Sequence, residues 1–376
     1  MTVTVETARL AAALTALNRV IERRNTIPVL GHVLFDGAGC VSATDLDMTL
    51  SLTIGADGHV PFLADLATLR KTLKGADKGS LTALTRQIDE AQRHLPHPGE
   101  RVRTECDGLT TVADSFPVED YPRLTAPEGQ CDSWRFEARE LADVLSYAAP
   151  CVSTEETRYY LNGVCFKACG DVLDVVATDG YKLARYRTGL PATELEQVAE
   201  RGVILPRKAQ KIASAMLAKC DGSVSVTIWE ERIRIEAEGW TLETKVIDGT
   251  FPDYTRAIPA PTSNGVTVER DALLNAVGRV SSTSDERYNA VKLETEGGAL
   301  TIQSNSSGGN SAGMSLSCDV TGDGILAGFN AAYLQDIIKA APGDTITLSQ
   351  DNNGDPARIT CPADDRLTFV IMPVRF

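Results

Sequence analysis

The chain starts over twice. Val3 and Val5 alternate into Glu6, and Leu10, Leu14, Leu17 and Ile21 follow at helical spacing. Trp134-Arg135-Phe136-Glu137 leads in the same way to Leu141, Val144, Leu145 and Ala148, and Val266-Thr267-Val268-Glu269 leads to Leu273, Leu274, Val277 and Val280. The three glutamates recur about 130 residues apart. Each block carries a second helical pattern. The first opens at Pro61-Phe62 with Leu63, Leu66, Leu69 and Leu73 on one face. The second is Ala209–Leu217 after Leu205-Pro206-Arg207-Lys208, and the third is Ala331–Ile338 after Gly328-Phe329-Asn330. Alternating strands such as Ser225–Ile228, Arg232–Glu236, Val291–Leu293 and Thr345–Leu348 lie between. A unit this long can bury its own core, so the copies are domains and not solenoid turns. The pattern predicts an α+β protein of three similar domains, each with two helices packed on antiparallel sheets. They span 1–126, 131–257 and 262–376, with Thr125–Gln130 as a linker.

Composition narrows the function classes. The 43% hydrophobic and 23% charged content is that of a globular protein. No apolar run approaches the roughly 20 residues needed to span a bilayer. The opening MTVTVETARL has no basic-then-apolar leader, so a cytoplasmic location without membrane attachment is expected. Nine cysteines at spacings unlike a metal site suit free thiols in a reducing compartment, and no cofactor is expected. His94 and His97 sit in a Pro-containing polar stretch, Arg86–Glu100, with no partner ligands apparent in the sequence. The net charge of −14 argues against a generally nucleic-acid-coating surface, so any such contact must be local.

Val175–Arg187 is a marked local signal. Val175-Val176 enters Thr178-Asp179-Gly180, and Tyr181-Lys182-Leu183-Ala184 leaves it, as in a hairpin whose glycine accepts positive φ. Ala43-Thr44-Asp45-Leu46 repeats that turn one domain earlier. Phe251–Pro259 and Met372–Phe376 also set proline beside aromatic and basic residues, and the three stretches could meet in one groove.

Six motifs then fall in order: Arg24-Asn25-Thr26-Ile27-Pro28-Val29-Leu30-Gly31, Arg158-Tyr159-Tyr160-Leu161-Asn162-Gly163, Ala177 to Ala184, Val203-Ile204-Leu205-Pro206-Arg207-Lys208, Asp248-Gly249-Thr250-Phe251-Pro252-Asp253-Tyr254, and Met372-Pro373-Val374-Arg375-Phe376. On these the chain resembles, over its whole length, the bacterial replicative sliding clamps, the beta subunits of DNA polymerase III. The resemblance implies a ring-shaped homodimer of three DNA-clamp domains per chain. Such a ring encircles double-stranded DNA without sequence specificity and catalyses nothing. It also implies short-linear-motif partners, namely the replicative polymerase, the clamp loader and repair proteins.

By the same resemblance Arg24, Tyr159 and Tyr160 match DNA-contacting positions. The basic second helices supply Lys74, Arg207, Lys208 and Lys211, as phosphate attraction requires. The motif-binding groove maps to Leu161, Thr178, Gly180, Tyr181, Lys182 and Leu183. It continues through Pro252, Arg256 and Ala257, then Asn330 and Tyr333, and ends with Val370, Met372, Pro373, Val374, Arg375 and Phe376. Methionine in such a groove repacks at little cost and suits several partners. The chain departs from the family at Tyr181-Lys182, where histidine-arginine is common, at Ala257, where a larger aliphatic is common, and at Phe376, where leucine is usual. Ser281-Ser282-Thr283 stand where the family often has interface aliphatics. Two alternatives stand beside this reading. Asp45, Asp179 and Asp253 could serve as metal-dependent carboxylates, although each lies in a turn that aspartate caps. A divergent clamp acting mainly as a peptide-binding scaffold is the other.

Overall fold

The structure is a computed structural model that describes all residues except 1, 23, 57–59, 89–98, 125–126, 193–196, 283–288, 306–308 and 376, and the side chains of 197 and 200. His94, His97, Thr283 and Phe376 therefore lie outside the described residues. Six α-helices are described: α1 (Thr7–Leu17), α2 (Leu66–Thr72), α3 (Ala138–Ala148), α4 (Arg207–Leu217), α5 (Arg270–Ser281) and α6 (Ala331–Ala340). Glu6, Glu137 and Glu269 immediately precede α1, α3 and α5. The third caps its helix, accepting from the amides of Asp271 and Ala272. Glu6 instead pairs with Arg9 at 3.0 Å.

The helices form where apolar residues recur at helical spacing. Leu10, Leu14 and Leu17 of α1 are fully buried, as are Leu334, Ile337 and Ile338 of α6. Sequence periodicity overestimates α2. Phe62–Asp65 is a strand, paired with His32–Phe35, and the helix begins only at Leu66. Leu63 thus belongs to the strand, and the Asp65 carboxylate caps the helix by accepting from Thr68 N at 2.7 Å. The other second helices follow the same plan, each entered from a short strand, Val203–Pro206 before α4 and Leu326–Asn330 before α6.

The chain divides into two compact units, residues 1–141 with 211–246 and residues 142–210 with 247–376. All three crossings between the units fall inside repeat two. In the first unit an eight-stranded antiparallel sheet joins repeats one and two, because Met48–Thr53 pairs with Trp240–Lys245, Leu50 opposite Leu242. A four-stranded sheet in the same unit holds Leu81–Ile88 against Glu100–Cys106, Ile88 opposite Glu100. The Arg86–Glu100 segment therefore links two paired strands, and Arg86 Nε donates to the buried Glu100 carboxylate at 3.0 Å. In the second unit a nine-stranded sheet joins repeats two and three. Lys182–Pro191 pairs with Asp364–Ile371, Leu183 opposite Val370.

Candidate functional site

The Thr178–Lys182 turn is held almost entirely by its own side chains. Asp179 Oδ1 accepts from Tyr181 N and Lys182 N, both at 2.8 Å. Thr178 Oγ1 donates to the Lys182 carbonyl at 2.9 Å and accepts from Gly180 N at 3.1 Å. Gly180 takes φ of 90°, which a side chain would strain. The Asp45 turn is built identically, with Asp45 Oδ1 accepting from Asp47 N at 3.0 Å and Met48 N at 2.8 Å. Its glycine position holds Leu46 at φ of 79°. Asp253 caps Tyr254–Ala257, accepting from Thr255 N at 3.2 Å. Its bonds to Thr255 and the nearby Arg256 hold its carboxyl below the usual range. All three aspartates are thus occupied in local turns, and no group of three or more His, Cys, Asp or Glu suited to a metal occurs among the described residues.

Lys182, on the strand that leaves the turn, is buried. Only 7% of its side chain is accessible, and its ammonium donates to the Pro150 carbonyl at 2.6 Å. It also pairs with Asp179 at 3.1 Å and Asp336 at 3.5 Å, and lies 4.9 Å from the centre of the Tyr333 ring. Burial works against its charge, but Asp179, Cys151 and Asp336 outweigh it and raise the pKa. Lys182 therefore ties the turn to α6. Tyr181 is half exposed and stacks on Tyr333 at 5.7 Å between ring centres. Asn330 caps α6 through Ala332 N at 3.0 Å and Tyr333 N at 3.2 Å, which fixes where that ring begins.

Beside the turn, Leu161, Val176, Leu183, Phe251, Tyr254 and Val370 form one apolar cluster with Cys165 and Ile204. Strand pairing continues past residue 371. Met372 N donates to Tyr181 O and Val374 N to Gly328 O, each at 2.8 Å, so the tail crosses between the turn and the strand before α6. Met372 stays 41% exposed. It lines a cavity of about 410 Å³ with Arg256, Ala257, Pro259, Ser349 and Pro356. Exposed Arg256 pairs with Asp253 at 3.0 Å, and Pro252, Ala257 and Arg375 are exposed beside it in sequence or on the tail. The second unit therefore brings together the Thr178–Leu183, Pro252–Ala257, Asn330–Tyr333 and Val370–Arg375 groups.

Several participants went unseen in the sequence: Pro150, whose carbonyl takes the lysine, Asp336, and Asp174. Asp174 is fully buried and accepts from Tyr254 Oη at 2.8 Å and from Arg187 Nε at 3.1 Å, which anchors the Phe251–Pro259 segment to the sheet. Burial, then Asp174, pushes the Tyr254 phenol far up.

The candidate DNA-contacting residues are distributed between the units. Arg24 is exposed in a loop before Pro28–Gly31, and Lys74 is exposed just past α2. Arg207, Lys208 and Lys211 occupy the first turns of α4, Lys211 exposed and the other two half-buried. Tyr159 and Tyr160 lie in a 3₁₀ segment, Glu156–Leu161, and not in a strand. The rings meet edge-on at 5.8 Å. Tyr159 is 54% exposed, whereas Tyr160 packs against the apolar cluster that holds Leu161 and Leu183.

Family models of the DNA polymerase III beta subunit match the whole chain in order. The N-terminal domain matches residues 1–125, the central domain 135–253 and the C-terminal domain 255–375. The chain is 31% identical to a beta sliding clamp of Caulobacter vibrioides and 26% identical to that of Escherichia coli, covering all of both proteins in each case. Among solved structures it is similar to a sliding clamp, DNA polymerase III subunit beta, of Bartonella birtlesii bound to griselimycin, with a TM-score of 0.87 and 32% identity over all of both chains. A Caulobacter crescentus beta sliding clamp gives a TM-score of 0.88 at 31% identity, with 100% of this chain and 99% of that one covered.

Proposed function

The chain belongs to the DNA polymerase III beta-subunit family, and from that premise we propose that two copies close into a ring around duplex DNA and tether motif-bearing partners through the groove. It is a sliding clamp, a processivity factor and not an enzyme. The carrying observation is the ordered match of all three domain models. The domains are assigned to 1–126, 131–257 and 262–376. Arg24, Lys74, Arg207, Lys208 and Lys211 attract phosphate without reading bases, which sliding requires. Tyr159 offers a flat face to the DNA backbone, and Tyr160 supports it from the apolar cluster. The groove takes linear motifs of the replicative polymerase, the clamp loader and repair proteins, in the cytoplasm. No described helix is long and apolar enough to cross a membrane.

The test is topological. Loaded by a clamp loader onto nicked circular plasmid, the protein is expected to co-elute with DNA at a salt concentration that strips phosphate-bound proteins. It is expected to be released when the circle is cut. Equal retention on circular and linear DNA, or none on the circle, would overturn the reading. Peptide binding without retention would instead favour the scaffold alternative.

A further inference from the structure

Three arginines stand on the groove face of the nine-stranded sheet, and one of them has a counter-ion. Residues alternate faces along Lys182–Pro191, so Leu183, Arg185 and Arg187 share one. Arg187 pairs with the fully buried Asp174 at 3.1 Å. Arg185 has a neutral partner, donating from Nη2 to Thr368 Oγ1 at 3.3 Å. One strand further over, Arg358 lies opposite Val370, and Val370 lies opposite Leu183, which lies opposite Thr178. Arg358 thus continues the cross-strand row Thr178–Leu183–Val370 that belongs to the groove. Arg185 sits diagonally from it across the same strand, opposite Thr368. The Nε atoms of both arginines are shielded from solvent and have no hydrogen-bond partner. Burial, and then Arg185, lowers the Arg358 pKa, and no carboxylate acts in the opposite sense.

Two half-buried like charges on one face, diagonal to each other across a single intervening strand, cost free energy that this unit does not recover by itself. Guanidinium groups present flat forks of donors that match a carboxylate. We propose that Arg185 and Arg358 extend the groove with a carboxylate-accepting subsite, which selects motifs carrying an aspartate or glutamate beside their apolar anchors. The occupant is acidic because the pair is cationic, and the subsite is selective because the chain carries a net charge of −14. Away from a local cationic site, that charge repels acidic peptides. The inference rests on the groove reading above.

Calorimetry on the full chain tests it with three synthetic peptides. One is a neutral glutamine-leucine-rich motif peptide, and the others add two glutamates before or after its apolar core. One of the charged peptides is expected to bind about tenfold more tightly than the neutral one at low salt. R185Q/R358Q is expected to bind both with equal affinity, and R185K/R358K to keep part of the preference. If the neutral peptide binds and neither charged peptide gains, the subsite is overturned and the groove stands. A gain that persists in R185Q/R358Q also overturns it. If no peptide binds at all, the groove reading fails and the subsite with it.

Discussion

A single buried ammonium holds the turn, the start of α6 and the carbonyl of Pro150 together. Lys182→Met leaves Asp179, Asp336 and that carbonyl without their shared partner, and is expected to cost about 2–3 kcal/mol in denaturant melts and to weaken peptide binding. Lys182→Arg, which keeps the charge, is expected to restore much of the loss. An unchanged midpoint in Lys182→Met would show the contacts to be incidental. The folded pKa is raised, so this contribution is complete below the ordinary lysine value of about 10.4 and is lost only as pH rises through the raised value. A stability step between about pH 6 and 9 that Lys182→Met removes would contradict that sign. One domain earlier, Leu46 occupies the left-handed position that Gly180 fills, so Leu46→Gly is expected to raise stability by about 0.5–1 kcal/mol despite some lost side-chain burial. The Asp-Gly turn was legible because its bonds join near neighbours. Asp336 was not, because nothing beside it in sequence marks a partner so far along the chain.

Helices and hairpins were largely legible from their periods, and the errors fall where two periods overlap. Leu63 fits the helical stripe of Leu66, Leu69 and Leu73, yet it sits in a short run, Phe62–Ala64, buried on both faces, and pairing with His32–Phe35 makes it a strand. Tyr159 and Tyr160 were matched alike to DNA-contacting positions. The 3₁₀ geometry instead sets one ring outward and the other onto the core. Lys211 stands exposed on α4, and Arg24 is exposed in its loop. Lys211→Gln and Arg24→Gln are each expected to weaken DNA binding equally across sequences and to reduce the log–log salt slope by about one. A variant that loses affinity for one sequence alone, with the slope intact, would mean base contacts and rule out free sliding.

At the scale of the molecule, three repeats were legible because each copy restarts with the same strand and helix pattern. The sheets shared between repeats were not, since pairing of Met48–Thr53 with Trp240–Lys245 leaves no local trace in either strand. Sedimentation at micromolar concentration is expected to show two chains per particle, and a monomer alone or a trimer would contradict ring closure by a two-fold axis. Deleting Met372–Phe376 removes the amides that bond Tyr181 and Gly328, and is expected to abolish motif-peptide binding while leaving the dimer intact. Equal peptide affinity after the deletion would remove the tail from the groove. The pairing of Lys182–Pro191 with Asp364–Ile371 also sets a clock. Roughly 180 residues emerge from the ribosome between those strands, on the order of ten seconds or more of synthesis during which the earlier one is an open edge. A nascent chain arrested before residue 364 is expected to capture no motif peptide, so peptide capture would begin only with the finished chain.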